Sequence, residues 1–190
     1  MPSPGPREKA PLDDLSSSLS PFDDRSSVDR LNSIASACEP VLAACHRDPE
    51  GVMLWRDDGG SSAVPLLLTV LTTVSASLSD SSLQLKTLQT LDSASMSLAL
   101  LSNSSNGGGN RDIASVRLDI LSGGLFVGVE STCCDALVCA AELALVEPEC
   151  PRVLKGVLAL LKCAVSSGVS SSTRFFTRDK RLLTLLSQAR

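Results

Sequence analysis

The run AVPLLLTVLTTVSASL, Ala63 to Leu78, decides the fold class. Its Val and Thr content suits a strand, but a run of sixteen residues is too long for the usual strand of 4–8 and favours a helix. Pro65 fits a first helical turn, where its missing N–H would have no partner anyway. Leu67, Leu71, Val74 and Leu78 then fall on one stripe at helical spacing. The run is also short of the roughly twenty apolar residues that a membrane-spanning helix needs, and Thr and Ser interrupt it. It predicts an amphipathic helix in water.

Reading outward toward the C-terminus, Leu88, Leu91, Leu98 and Leu101 follow the turn at Asp80-Ser81 and predict a second helix ending near Ser102. SNSSNGGGNRD (102–112) is a loop, and Asp112 caps a short helix carrying Ile113, Val116 and Ile120 that Gly123-Gly124 ends. Two nearly all-apolar helices fill Glu130 to Val165, separated by EPEC and Pro151. SSGVSSSTR (166–174) is a further loop, and FFTRDKRLLTLLSQAR (175–190) closes the chain as an amphipathic helix. Toward the N-terminus, Ser26-Ser27 offers an N-cap for a helix with Val28, Leu31, Ile34 and Cys38 at helical spacing. Pro40 is expected to break that helix, leaving PVLAACHRD (40–48) as a second short one. GVMLWRDDGGSS (51–62) reads as an apolar knot and a loop, with Trp55 more suited to a satellite core than to an exposed anchor. Residues 1–26, with five prolines and six serines, read as a disordered acidic tail. Within the tail, Ser20 precedes Pro21 and is a candidate phosphorylation site. Residues 27–190 form the helical domain, with N-terminal helices at 27–58 and an array of helix pairs at 63–190.

Composition supports an all-α chain. Hydrophobic residues make up 43%, enough for a core, while aromatic residues are only 3%. Leu, Val and Ala without aromatic anchors suit helix-on-helix layers better than a β-sandwich. The expected helix starts near 64, 112 and 151 alternate with starts near 82, 131 and 177. Two-helix units of roughly 40–47 residues build HEAT and armadillo arrays, and the chain resembles that architecture over about residues 64–190. The resemblance implies a short α-solenoid of stacked antiparallel pairs, without enzymatic chemistry, offering a groove to a protein partner. An irregular helical bundle is the alternative architecture.

Five of the seven cysteines lie between Glu130 and Val165, so chemistry has to be tested there first. Zinc sites pair Cys with Cys or His two to four residues apart, and no Cys-x-x-Cys occurs in the chain. At about 100° per residue, Cys133 and Cys139 lie roughly 240° apart on a helix and Cys134 and Cys139 roughly 140°. Only Cys38 and Cys45, with neighbouring His46, approach a shared face, and His46 is the one histidine in the chain. An odd cysteine count argues against a disulfide framework, and thiols set in apolar sequence are inert. The cysteines therefore read as small core residues, with no metal and no cofactor expected. A Ser-His-Asp arrangement would depend on His46 alone, no Gly-x-Ser-x-Gly elbow occurs, and the glycine clusters lack the Lys-Ser/Thr of a phosphate loop. No catalytic residue is expected.

Charge points elsewhere. Residues 151–190 carry eight bases against one acid, while the rest of the chain is acidic enough to bring the net charge to −4. The expected contact region is Arg174, Phe175, Phe176, Arg178, Lys180 and Arg181, with Arg152 and Lys155 behind it. Phenylalanines inside a basic rim suit a protein contact, either with an acidic partner or with a second copy through the C-terminal helix. Bases interleaved with aromatics also suit single-stranded nucleic acid, the alternative reading. With no targeting segment in MPSPGPREKAPLDD, the expected compartment is intracellular, cytoplasmic or nuclear, without membrane association.

Overall fold

The computed structural model describes residues 11–20, 26–57 and 60–103, together with Leu143, Lys155, Gly156, Ala159 and Leu160. Five α-helices and one 3-10 turn account for most of these residues, and no strand occurs among them. The all-α expectation holds at that level.

Residues 11–18, expected to belong to a disordered tail, form helix α1 (Pro11–Ser18). Leu12, Leu15 and Leu19 recur three and four residues apart, and all three are buried. That spacing outweighs the Pro- and Ser-rich composition, because the apolar face has a core to pack against. Asp13 and Asp14 lie in the first turn, where negative charge suits the positive end of the helix dipole. Ser17 and Ser18 return their hydroxyl protons to the carbonyls of Asp13 and Asp14, both at 2.8 Å. Trp55 Nε1–H donates to Asp13 Oδ1 at 3.1 Å, so the half-buried indole ties the start of α1 to the chain after α3.

Helix α2 (Ser27–Arg47) starts where Ser26 caps it, the Asp29 N–H donating to Ser26 Oγ at 3.2 Å and the Ser26 hydroxyl donating back to Asp29 Oδ2 at 2.7 Å. Leu31, Ile34, Ala37, Cys38, Val41 and Cys45 form its buried stripe. Val28, expected on that stripe, is 44% exposed. The expected break at Pro40 does not occur, and the helix runs through it. Pro40 has no N–H to give the Ser36 carbonyl, but both residues are exposed while Cys38 and Val41 between and beyond them are anchored in the core. The lost bond therefore faces water, and packing holds the helix together. Asp48 ends α2 and also caps α3 (Pro49–Leu54), accepting the Gly51 N–H at 2.9 Å. A tight loop follows, in which Gly60 takes a φ of 82°, a left-handed conformation that favours glycine.

Ala63 to Leu78 is helical throughout: helix α4 (Ala63–Ser75) continues into a 3-10 turn (Ala76–Ser79). Leu67, Leu71 and Val74 are buried as the stripe requires, and Leu78 packs at the core's edge. Asp80 then accepts both the N–H and the hydroxyl of Ser82, which holds its carboxyl below the usual range. Helix α5 (Gln84–Asn103) returns along α4. Leu88, Leu91, Leu98 and Leu101, singled out by their spacing, are all at most 1% exposed.

Helix α5 is the inner helix. Its buried residues, from Thr87 through Leu88, Thr90, Leu91, Ala94, Ser95, Ser97, Leu98 and Ala99 to Leu101, cover an arc of roughly 200° at 100° per residue. Helices α2 and α4 pack on it. The helical residues Lys155-Gly156 and Ala159-Leu160 extend the covered arc beside Asp92. There the Gly156 N–H donates to Asp92 Oδ1 at 2.6 Å, and a Cβ at position 156 would meet the Asp92 carbonyl oxygen. Only glycine allows that approach.

The strand-free core has a simple chain direction. Helix α1 runs antiparallel to α2, since Ser18 meets Ser33 and Leu19 meets Arg30 while Pro11 lies across from Pro40. Helices α2 and α5 run side by side in the same direction, because Lys86 reaches Asn32 near their first turns and Ser97 bonds Cys45 toward their ends. The described part is thus two antiparallel pairs, α1 with α2 and α4 with α5, with α1 also touching α4. No described helix is long and apolar enough to cross a membrane.

Candidate functional site

Of the residues expected to form the basic contact region, Arg152, Arg174, Phe175, Phe176, Arg178, Lys180 and Arg181 lie outside the described residues. Lys155 is described, and it is exposed on the helical segment that docks through Gly156. Its position is fixed by the close approach at Asp92, so one basic side chain of the expected region stands at the surface beside the inner helix.

Among the described residues, a groove of about 390 Å³ opens between α1 and α2. Pro11, Asp14, Ser17 and Ser18 line one side, and Ser33, Ser36, Ala37 and Pro40 line the other. The groove exists because small side chains face one another across an antiparallel pair, which leaves room that larger residues would fill. Its floor is closed by a hydroxyl chain: Ser18 donates to the Asp14 carbonyl, and Ser33 then donates to Ser18 across 3.0 Å. The lining is rich in acceptors, with the Asp14 carboxylate, four hydroxyls and the Ser36 carbonyl that Pro40 cannot serve. It contains no imidazole, amine or thiol. Such a lining offers acceptors to hydrogen-bond donors, and it has no Ser-His pair from which nucleophilic chemistry starts.

A second cluster sits at the exit of α1. Arg30 crosses from the first turns of α2 and donates through Nη2 to the Leu19 carbonyl at 3.2 Å. Its Nε–H is buried and has no hydrogen-bond partner among the described residues. Ser20, the candidate phosphorylation site, is half-buried immediately after that carbonyl. Sequence reasoning found Ser20 but missed Arg30, because their meeting depends on α1 being a helix antiparallel to α2. The signal that would have revealed it is the Leu12, Leu15, Leu19 spacing.

Two cysteines are described, and both are buried free thiols on α2. Burial pushes the Cys38 thiol up to about 12. Burial also raises Cys45, to about 11, partly opposed by its hydrogen bond with Ser97. His46, next along the helix, is exposed and so points away from the face that holds the thiols. Cys133, Cys134, Cys139, Cys150 and Cys163 lie outside the described residues. No group of three or more His, Cys, Asp or Glu residues suited to a metal ion occurs among the described residues.

The chain matches no protein-family model, and no curated protein or solved structure is found similar to it.

Proposed function

We propose that this chain is a non-catalytic helical scaffold or adaptor, a short armadillo- or HEAT-like α-solenoid, that binds a protein partner as a subunit of a larger complex. One observation supports the reading above the others: two antiparallel helix pairs lie side by side, with α2 and α5 parallel and α5 buried between its neighbours. Pairs stacked in this manner bury a continuous core only by adding further pairs, and they build extended surfaces that suit protein partners. The contact of Gly156 with Asp92 and the burial of Leu160 support this reading, since a further helical segment packs against α5.

The contact region in this reading is the basic end, Arg174, Phe175, Phe176, Arg178, Lys180 and Arg181, and its charge suits an acidic partner surface. Complementary charge speeds association and rejects wrong partners, while the two phenylalanines supply the desolvated anchors. The test is affinity capture from source cells, comparing the wild type with a variant in which Arg174, Arg178, Lys180 and Arg181 are changed to Glu. The reading expects a stoichiometric protein partner that the charge-reversed variant loses. The same partner retained by both proteins would contradict the assigned contact region. Capture of nucleic acid alone, weakening steeply with salt, would contradict the protein-binding role itself.

A further inference from the structure

The exit of α1 combines a candidate acceptor hydroxyl with a basic group that lacks a partner. Ser20 is the second residue past the end of α1, and its N–H reaches the Ser17 carbonyl at 3.4 Å. That distance is beyond the usual 2.7–3.2 Å, so the turn opens at low cost. In the sequence, Ser20 is followed by Pro21, the dipeptide on which proline-directed protein kinases act. The Ser20 Cα stands two bonds from the carbonyl carbon whose oxygen Arg30 already holds. The guanidinium is therefore held against the peptide group that leads into Ser20. Arg30 Nε–H, buried and unpartnered, is a donor in search of an acceptor. A buried donor left without a partner costs the fold free energy, which a new acceptor returns.

We infer that Ser20 is a phosphoacceptor and that Arg30 receives its phosphate, fastening α1 to the first turns of α2. In the transfer, Ser20 Oγ attacks the γ-phosphorus of a nucleoside triphosphate. The new Oγ–P bond forms as the bond from phosphorus to the β–γ bridging oxygen breaks. The nucleoside diphosphate leaves, and the hydroxyl proton passes to the kinase's base. The product carries close to two negative charges and three strong acceptor oxygens at neutral pH. Two of those oxygens match the planar guanidinium fork, whose paired N–H groups bind phosphate bidentately. Opposing this, a phosphate at the exit of α1 meets the negative end of that helix's dipole. The charge-assisted pair with Arg30 outweighs that surface dipole effect, since the guanidinium is partly buried and the dipole effect is screened by water.

The full-length protein is treated with a proline-directed kinase and a nucleoside triphosphate, the site is read by peptide mapping, and amide exchange over residues 11–19 is compared before and after. Arg30→Gln and Arg30→Lys are carried in parallel, with circular dichroism to confirm that each keeps the wild-type helix content. The expected result is phosphate on Ser20 and slowing of exchange across α1 by tenfold or more, lost in Arg30→Gln and largely lost in Arg30→Lys, which keeps the charge without the fork. No incorporation at Ser20 overturns the inference. So does exchange that is unchanged or faster on phosphorylation, or a slowing that survives in Arg30→Gln.

Discussion

Cys38 and Cys45 face the core from one stripe of α2, and their burial has consequences for reactivity and for pH dependence. Only the thiolate reacts, and raising both thiols from the ordinary 9.0 to about 12 and about 11 removes it at neutral pH. Both should therefore react with a thiol reagent at pH 8 far more slowly in the native protein than in urea. The stability consequence has a definite sign. Both groups bind their proton more tightly when folded, so their contribution is complete below pH 9, where the unfolded thiols are also protonated. It is lost as pH rises from 9 toward 11–12, because only the unfolded chain ionises readily there. Urea melts at pH 8, 9 and 10 should show falling stability, with a shallower fall in Cys38→Ala. A different residue-scale effect concerns Thr87 and Ser95, whose hydroxyls are buried on α5 without a partner. Replacing an unsatisfied polar group by an apolar one of similar shape is neutral or stabilising. Thr87→Val and Ser95→Ala should each leave stability unchanged or raise it by up to about 1 kcal/mol, as read by chemical denaturation. Ser18→Ala, which removes two real bonds, should lower it by about 1 kcal/mol.

At the scale of elements, two helices were legible from the sequence and two features were not. The leucines of α5 and the stripe of α4 were readable because their apolar periodicity runs across whole turns without a competing signal, and burial follows it residue by residue. Helix α1 was hidden because its three leucines are set among prolines and serines, and eight residues are too few to form a helix without the core that receives them. The continuity of α2 was hidden because Pro40 is a strong local breaker, while the buried Cys38 and Val41 that overrule it act only in the folded chain. The same held for the candidate site: Ser20 was legible from its dipeptide, whereas Arg30 and the groove at Ser33 and Ser36 come from pairing between helices. If packing rather than propensity holds α2 together, Pro40→Ala restores a hydrogen bond and relieves a ring clash without disturbing the core. It should raise stability by about 1–3 kcal/mol in denaturant melts, and a loss of stability would show that the proline is required by the packing. The docking of Lys155-Gly156 on α5 gives the opposite expectation. A methyl at 156 has nowhere to go against the Asp92 carbonyl, so Gly156→Ala should cost about 1–3 kcal/mol.

For the whole molecule, these contacts describe layers stacked around one inner helix. Helix α5 receives α2, α4 and the segment at Gly156 on successive sides, while α1 lies outermost against α2. Along the sequence the charge is uneven, with eight bases against one acid over residues 151–190 and an acidic balance before them. The proposed scaffold role requires a rigid centre, and α5, the most deeply buried of the described helices, is where that rigidity would reside. Amide hydrogen exchange measured residue by residue tests it most directly. Helix α5 from Leu88 to Leu101 should exchange only through global unfolding, with α1 opening locally and orders of magnitude faster. Exchange in α5 as fast as in α1 would contradict an inner helix and, with it, the stacked arrangement.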